Sequence, residues 1–177
     1  MPATDILILN SAVLDIRNRE FAFTDTFAQA GGLAVCGAED MPKYSEAELA
    51  RLIREGHATA GGAGNTAPLV ARSGLRVAVG AYVGRGGHDG LDLQGYLYRD
   101  ALAKSGVDVS AVLVHPTLPT ATTFIHEVPA GDRGGIAYFP NANDAFEFAV
   151  FQREVERLKP RLVYYMYSGL SRRGDAN

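Results

Sequence analysis

Two short apolar runs constrain this chain more than any other feature. Ile6-Leu7-Ile8-Leu9 and Leu162-Val163-Tyr164-Tyr165-Met166 are too short for helices and show no polar alternation. A strand of that kind is buried on both faces, as happens inside a parallel sheet covered by helices. Val77, Val79, Ala81 and Val83 mark a further strand that ends at Gly84. Helix signals lie between these runs. Ser45-Glu46-Ala47-Glu48 is a capping box, Leu49, Leu52 and Ile53 share the face behind it, and Gly56 stops the helix. A second helix is expected to start near Asn65, because Pro68 is tolerated only in a first turn. A third covers roughly 92–104, with Leu93, Leu97 and Ala101 on one face and Gly106 closing it. A fourth covers 145–158, opened by Asn143 or Asp144 and stopped by Pro160.

The remaining strands fall outside that alternation. Residues 109–114 and 121–128 read as strands, and the turn formers at 129–135 join the latter to Ile136-Ala137-Tyr138-Phe139 as a hairpin. Phe21, Phe23 and Phe27, then Leu33 and Val35, suggest two exposed strands of a small side sheet over 20–37. Strands alternating with helices, with some strands left over, predict an α/β sheet plus a smaller β layer. At 177 residues the chain is about one domain or a piece of a larger one.

Charge excludes several functions. Seventeen basic and 20 acidic residues are spread evenly along the chain, which leaves no footprint for nucleic acid and no basic membrane face. No apolar run approaches the roughly 20 residues that span a bilayer. The single cysteine, Cys36, has no internal partner, and Met1-Pro2-Ala3-Thr4-Asp5 lacks a basic leader, so a cytoplasmic location is expected. His57, His88, His115 and His126 lack metal-ligand spacing, and no metal site is expected. Arg173-Gly174-Asp175 spells an adhesion tripeptide by chance. Gly84-Arg85-Gly86-Gly87-His88-Asp89-Gly90 has neither a P-loop ending nor dinucleotide spacing, and reads as a strand-to-helix loop.

The 20 glycines gather in clusters, and the one at 60–67, Ala-Gly-Gly-Ala-Gly-Asn-Thr-Ala, has a chemical meaning. Glycines let a ligand lie against the backbone, a starting helix offers free N–H groups, and the Asn65 amide donates and accepts at once. A polyhydroxylated ligand needs that combination. A tightly packed helix entry would also produce it.

Spacing adds to this. Gly61-Gly62 precede Asn65, Ala67 follows two later, Gly74 nine later and Gly84 ten after that. The pattern resembles the N-terminal signature of the PfkB carbohydrate kinases, the ribokinase-like sugar kinases. Asp92-Leu93-Gln94-Gly95, Gly106-Val107-Asp108, Pro119-Thr120-Ala121-Thr122-Thr123 and Asn141-Ala142-Asn143 resemble further family motifs, the last with Asn141 in place of a glycine. Ser168-Gly169-Leu170-Ser171 is similar to the family's loop after a central strand.

The resemblance implies a doubly wound ribokinase-like sheet with a small β lid, built from strands at about 20–37 and 121–139. It implies transfer of a phosphoryl group from ATP, with Mg2+, to a hydroxyl of a small-molecule sugar or nucleoside. Asp15 would accept hydrogen bonds from two substrate hydroxyls, Gly61 and Gly62 would seat the substrate, and Asn65 would hold another hydroxyl. Phe124 and His126 would belong to the lid, through which family members often form homodimers.

Two departures qualify it. Val13 stands where ribokinase has an asparagine, and phenylalanines in the lid keep a nucleoside substrate open. The family's D-T-x-G-A-G-D stretch, which carries the general base and the anion hole, has no counterpart; Gly37-Ala38-Glu39-Asp40 lacks the pattern. Residues 1–177 are therefore expected to supply the sugar-binding half, to contain no catalytic base, to leave ATP and Mg2+ mainly to a half not in this chain, and to be inactive alone. A non-catalytic carbohydrate-binding protein is the alternative from another class.

Overall fold

A computed structural model describes residues 4–18, 32–127 and 133–167. Its frame is a parallel four-stranded sheet in the order β6-β5-β1-β9. The strands are β1 (Ile6–Leu9), β5 (Val77–His88), β6 (Asp108–His115) and β9 (Leu162–Tyr165). Side chains alternate across this sheet, and both faces are covered. Ile8, Val77, Val79, Ala81 and Val83 pack with Ala63 and Ala67 of α2 (Ala63–Arg72) and with Tyr98 and Leu102 of α3 (Leu93–Lys104). Leu7, Leu9 and Ala78 face the other way, onto Phe151 and Leu158 of α4 (Phe148–Leu158). The doubly wound α/β architecture follows from those two stripes.

The second sheet has five strands in the order β3-β8-β7-β2-β4. They are β2 (Ala12–Asn18), β3 (Leu33–Val35), β4 (Ala58–Gly62), β7 (Ala121–Glu127) and β8 (Arg133–Phe139). One face packs on α1 (Glu46–Arg54): Leu14, Ile16, Phe124, Ala137 and Phe139 meet Leu49 and Leu52. The Ser45 hydroxyl and the Glu48 carboxylate close the expected capping box, and Gly56 takes φ +76° past the helix end.

Several elements differ from the sequence reading. Residues 12–18 and 58–62 form the two unforeseen strands β2 and β4. α2 begins at Ala63, so Pro68 sits inside the helix and cannot donate to the Gly64 carbonyl. β5 runs on through Gly84-Arg85-Gly86-Gly87 instead of yielding to a loop, with Arg85 and His88 bridging to Leu91. α3 buries Gly95, Tyr98 and Leu102, a face rotated from Leu93, Leu97 and Ala101. A 3-10 turn occupies Asn141–Ala145, and α4 starts only at Phe148. β9 is an edge strand whose Leu162, Val163 and Tyr164 are 55%, 41% and 49% exposed, not a buried one. The Phe21, Phe23 and Phe27 strand lies outside the described residues, as does most of the 129–135 turn.

Candidate functional site

Asp15 sits in the middle of β2, inside the five-stranded sheet. Its neighbours are Thr59 of β4 on one side and Thr123 of β7 on the other. Adjacent residues of a sheet share a face, so Asp15 and Thr123 point the same way. The Thr123 hydroxyl hydrogen-bonds to the carboxylate. Burial raises the pKa of Asp15 to about 6, with the Thr123 bond and the nearby Arg17 charge pulling it back down. The group thus titrates just below neutrality and is ionised at pH 7.

Gly61 explains how the carboxylate fits there. A Cβ at Gly61 would overlap both oxygens and the carboxyl carbon of Asp15. The bare backbone of β4 is the space into which the Asp15 side chain leans. Gly62 is required for another reason. It takes φ +56°, and a Cβ there would strike the Ser11 carbonyl and lie 3.2 Å from Ser11 Oγ and from Val13 Cγ1. That turn lets the chain leave β4 and enter α2 at the next residue, with Ala63 N donating to the Ser11 carbonyl at 3.2 Å.

α2 has no side-chain cap on its first turn. N–H donors there are left to other partners. Asn65, the third residue of the helix, is exposed. The arrangement joins an acceptor carboxylate on one strand, a neighbouring strand that ends in two bare glycines and an uncapped helix start that continues that strand.

Phe124 and His126 belong to the same sheet but lie on its other face by strand parity, Phe124 beside Ile16 and His126 beside Asn18. Phe124 is buried on α1, stacked with Tyr44 and edge-on to Phe139. Thr59, Thr123 and Tyr138 share the face of Asp15; of these, Thr123 was quoted in a sequence motif but given no role at the site. Its alternation with Phe124 was the available signal.

A buried polar cluster adjoins the site, and its Tyr138 is in register with Thr123 and so shares the face of Asp15. Asn143 Nδ2 donates to Ser11 Oγ at 2.9 Å and to the Tyr138 hydroxyl at 3.1 Å. Tyr98 donates to the Ser11 carbonyl at 3.3 Å. Burial pushes the Tyr138 phenol up to about 12, so it stays protonated. Asn141 takes φ +45°, a left-handed conformation that asparagine accepts better than most residues. This is how it can stand where the family motif has glycine.

Among the described residues, no group of three or more His, Cys, Asp or Glu converges to hold a metal ion. No helix among them is long and apolar enough to cross a membrane.

Comparison with known proteins yields one family. The model of the pfkB family carbohydrate kinases matches residues 5–173. No curated protein matches significantly. Among solved structures, the chain is similar to a probable sugar kinase protein from Rhizobium etli CFN 42, at 19% identity and a TM-score of 0.64 over 93% of this chain and 47% of that one. It is also similar to adenosine kinase from Sinorhizobium meliloti, at 20% identity and a TM-score of 0.58 over 92% of this chain and 47% of that one. Anopheles gambiae adenosine kinase, solved with P1,P4-di(adenosine-5) tetraphosphate, gives 15% identity and a TM-score of 0.65 over 90% of this chain and 46% of that one. At these identities the likeness is one of fold. The chain spans about half the length of each of these proteins.

Proposed function

The chain belongs to the pfkB family of carbohydrate kinases, and from that premise we propose that residues 1–177 form the sugar-binding part of an ATP-dependent kinase. The substrate is a sugar, and the reaction phosphorylates one of its hydroxyls. The observation that carries this reading is the Asp15 carboxylate, held over the bare backbone of Gly61. An ionised carboxylate is acceptor-only and takes hydrogen bonds from two hydroxyls at once. Gly61 and Gly62 leave room for the substrate against the backbone, and Asn65 serves a further hydroxyl.

On this reading ATP and Mg2+ are held mainly by residues outside this part. Among the described residues, the glycine-rich stretch 84–90 is largely strand, and no group of three or more His, Cys, Asp or Glu converges. The nucleotide, the metal and the base that deprotonates the attacking hydroxyl are therefore left to residues outside this part, and no step is assigned to them here. Residues 1–177 alone are inactive on this reading. The protein acts in the cytoplasm, where its free thiol Cys36 stays reduced. A homodimer would form through the lid, where β3 is the outermost strand among the described residues and Leu33 and Val35 are exposed.

Isothermal titration of the full-length protein with a panel of pentoses, hexoses and nucleosides tests this. Asp15→Ala should abolish binding of the sugar that binds wild type and leave nucleotide binding intact. Unchanged sugar affinity in Asp15→Ala refutes the site. A nucleoside substrate is the second reading, favoured by the adenosine kinases among the similar folds. Adenosine displacing the sugar, or binding in its place, selects it.

A further inference from the structure

A carboxylate that accepts three hydrogen bonds from two separate elements lies outside the site. Asp92 precedes α3, and a helix cap needs only one of its oxygens. Oδ1 accepts from Gly95 N at 2.8 Å, which satisfies the cap. Asp92 does more than this. Oδ1 also accepts from Thr120 Oγ1 at 2.6 Å, and Oδ2 accepts from Thr120 N at 2.7 Å. Thr120 Oγ1 in turn accepts from Gly84 N at 2.8 Å. Asp92 N donates back to the Gly84 carbonyl at 2.8 Å. One side chain so joins β5 of the parallel sheet, the start of α3 and the residue that opens β7 of the smaller sheet.

Three glycines are kept bare around this knot. A Cβ at Gly84 would overlap Asp92 Oδ2 and come within 2.7 Å of Thr120 N. At Gly95 it would lie 2.7 Å from Thr120 Oγ1, and at Gly86, 2.6 Å from Asp92 Cα. A cap alone would demand none of this. Thr120 is fully buried and is where the chain arrives after crossing from β6 to the smaller sheet. The same arrival point is held from the other side by Asn141 Nδ2 on the Thr120 carbonyl at 3.2 Å and by Ala142 N on the Pro119 carbonyl at 3.0 Å.

We propose that Asp92 is a positioning residue for the Asp15 site: by clamping Thr120 it fixes the start of β7, and so sets where the Thr123 hydroxyl meets the Asp15 carboxylate. The link is short. Thr123 is three residues along a strand from Thr120, about 10 Å at the usual rise, and it is registered directly beside Asp15. The other groups on this face are Arg17 on its own strand, Thr59 and Gly61 on β4, and Tyr138 of β8, which pairs with Thr123, is bonded to Asn143 and stays protonated, so it adds no charge to the titration.

The inference rests on Asp15 being the substrate carboxylate for its meaning in function, but its test needs no substrate. The titration of the Asp15 carboxyl carbon is followed by carbon-13 NMR in the full chain, assigned with Asp15→Asn. Thr123 donates to the ionised form, so a displaced Thr123 moves the midpoint upward. Asp92→Asn places an NH2 against the Thr120 N–H, and Thr120→Ala removes the hydroxyl bridge. Each should raise the Asp15 midpoint by about half a unit or more, roughly threefold in the ionisation constant. Thr120→Ser keeps the hydroxyl and should restore the wild-type midpoint. A midpoint within about 0.2 units of wild type in both variants, alongside a lowered melting temperature, would overturn the proposal and leave Asp92 a helix cap. If Asp92→Asn does not fold, the pair Thr120→Ala and Thr120→Ser carries the same comparison. Failure of the functional reading is separate, because it shows only as sugar binding by Asp15→Ala.

Discussion

Replacing Asp15 by asparagine should stabilise the protein at neutral pH while removing substrate affinity. Burial lifts the carboxyl from its ordinary value of 3.8 to about 6. At about 1.36 kcal/mol per unit, keeping the group ionised in the folded state costs about 3 kcal/mol. Above pH 6 the carboxyl is ionised in both states and the full cost is present. As pH falls from 6 toward 4, the folded state takes up its proton first and the cost disappears. Asparagine has no charge to desolvate, and its carbonyl oxygen can still accept from Thr123. Asp15→Asn should therefore be more stable than wild type by up to about 3 kcal/mol at pH 8, and nearly equal to it at pH 4. For a chain of this size that is a rise of roughly 6–12 °C in melting temperature. Asp5, lowered to about 2 by hydrogen bonds from Arg76, acts in the opposite sense but equally in both proteins. Urea unfolding of both proteins at pH 4, 6 and 8 measures the difference. A gap that is absent at pH 8, or equal at all three, refutes the reasoning. In the wild type the same ionisation makes sugar binding weaken as pH drops below 6, because hydroxyl donors prefer the charged form.

Gly61→Ala should weaken sugar binding tenfold or more without changing the circular dichroism spectrum, because the new Cβ displaces the Asp15 carboxylate; Gly74→Ala, where φ is +88° and space is open, should cost only about 1 kcal/mol of stability and leave binding intact. Asn10 is 1% exposed, takes φ +56°, and neither of its amide atoms has a hydrogen-bond partner among the described residues. Asn10→Gly should accordingly raise stability by about 1 kcal/mol in urea unfolding, and a fall would mean that the amide is bonded. Ser45→Ala breaks the capping box of α1 and should cost about 1 kcal/mol, read as a loss of roughly 2–4 °C in thermal unfolding.

The parts of the fold legible in the sequence were those with a strong local signature. The apolar run of β1, the capping box of α1 and the hairpin of β7 and β8 each declare themselves within a few residues. β2 and β4 did not. Only Asn10 and Ser11 separate β1 from β2, so two strands of different sheets read as one run and its tail. β4 is Ala-Thr-Ala-Gly-Gly, which lacks the bulky residues that mark strands, because it must lie under the Asp15 side chain. α3 misled for a similar reason. Its buried face carries Gly95, chosen for the clamp at Thr120, and the leucines around it suggested another face. The placement of Phe124 and His126 turned on parity, which no composition argument fixes until the register with β2 is known.

The site itself shows why local reasoning reached some residues and not others. Asp15, Gly61 and Thr123 come from β2, β4 and β7, three adjacent strands of the smaller sheet that are distant in sequence. The carboxylate needs an open neighbour on one side and a donor on the other. The glycine is visible in sequence as a cluster, because two functions, close approach and a positive φ, fall on Gly61 and Gly62 together. The donor is one threonine among several, and only pairing distinguishes it. That division has a mechanical consequence. The carboxylate, its donor and the glycine that makes room for it all ride on the smaller sheet, whereas Asp92 reaches that sheet from beside β5, an inner strand of the parallel one. A movement between the two sheets would carry the whole carboxylate site as a unit and would be felt both at Asn10 and Ser11, the chain link from β1 to β2, and at Thr120, where the Asp92 clamp joins them.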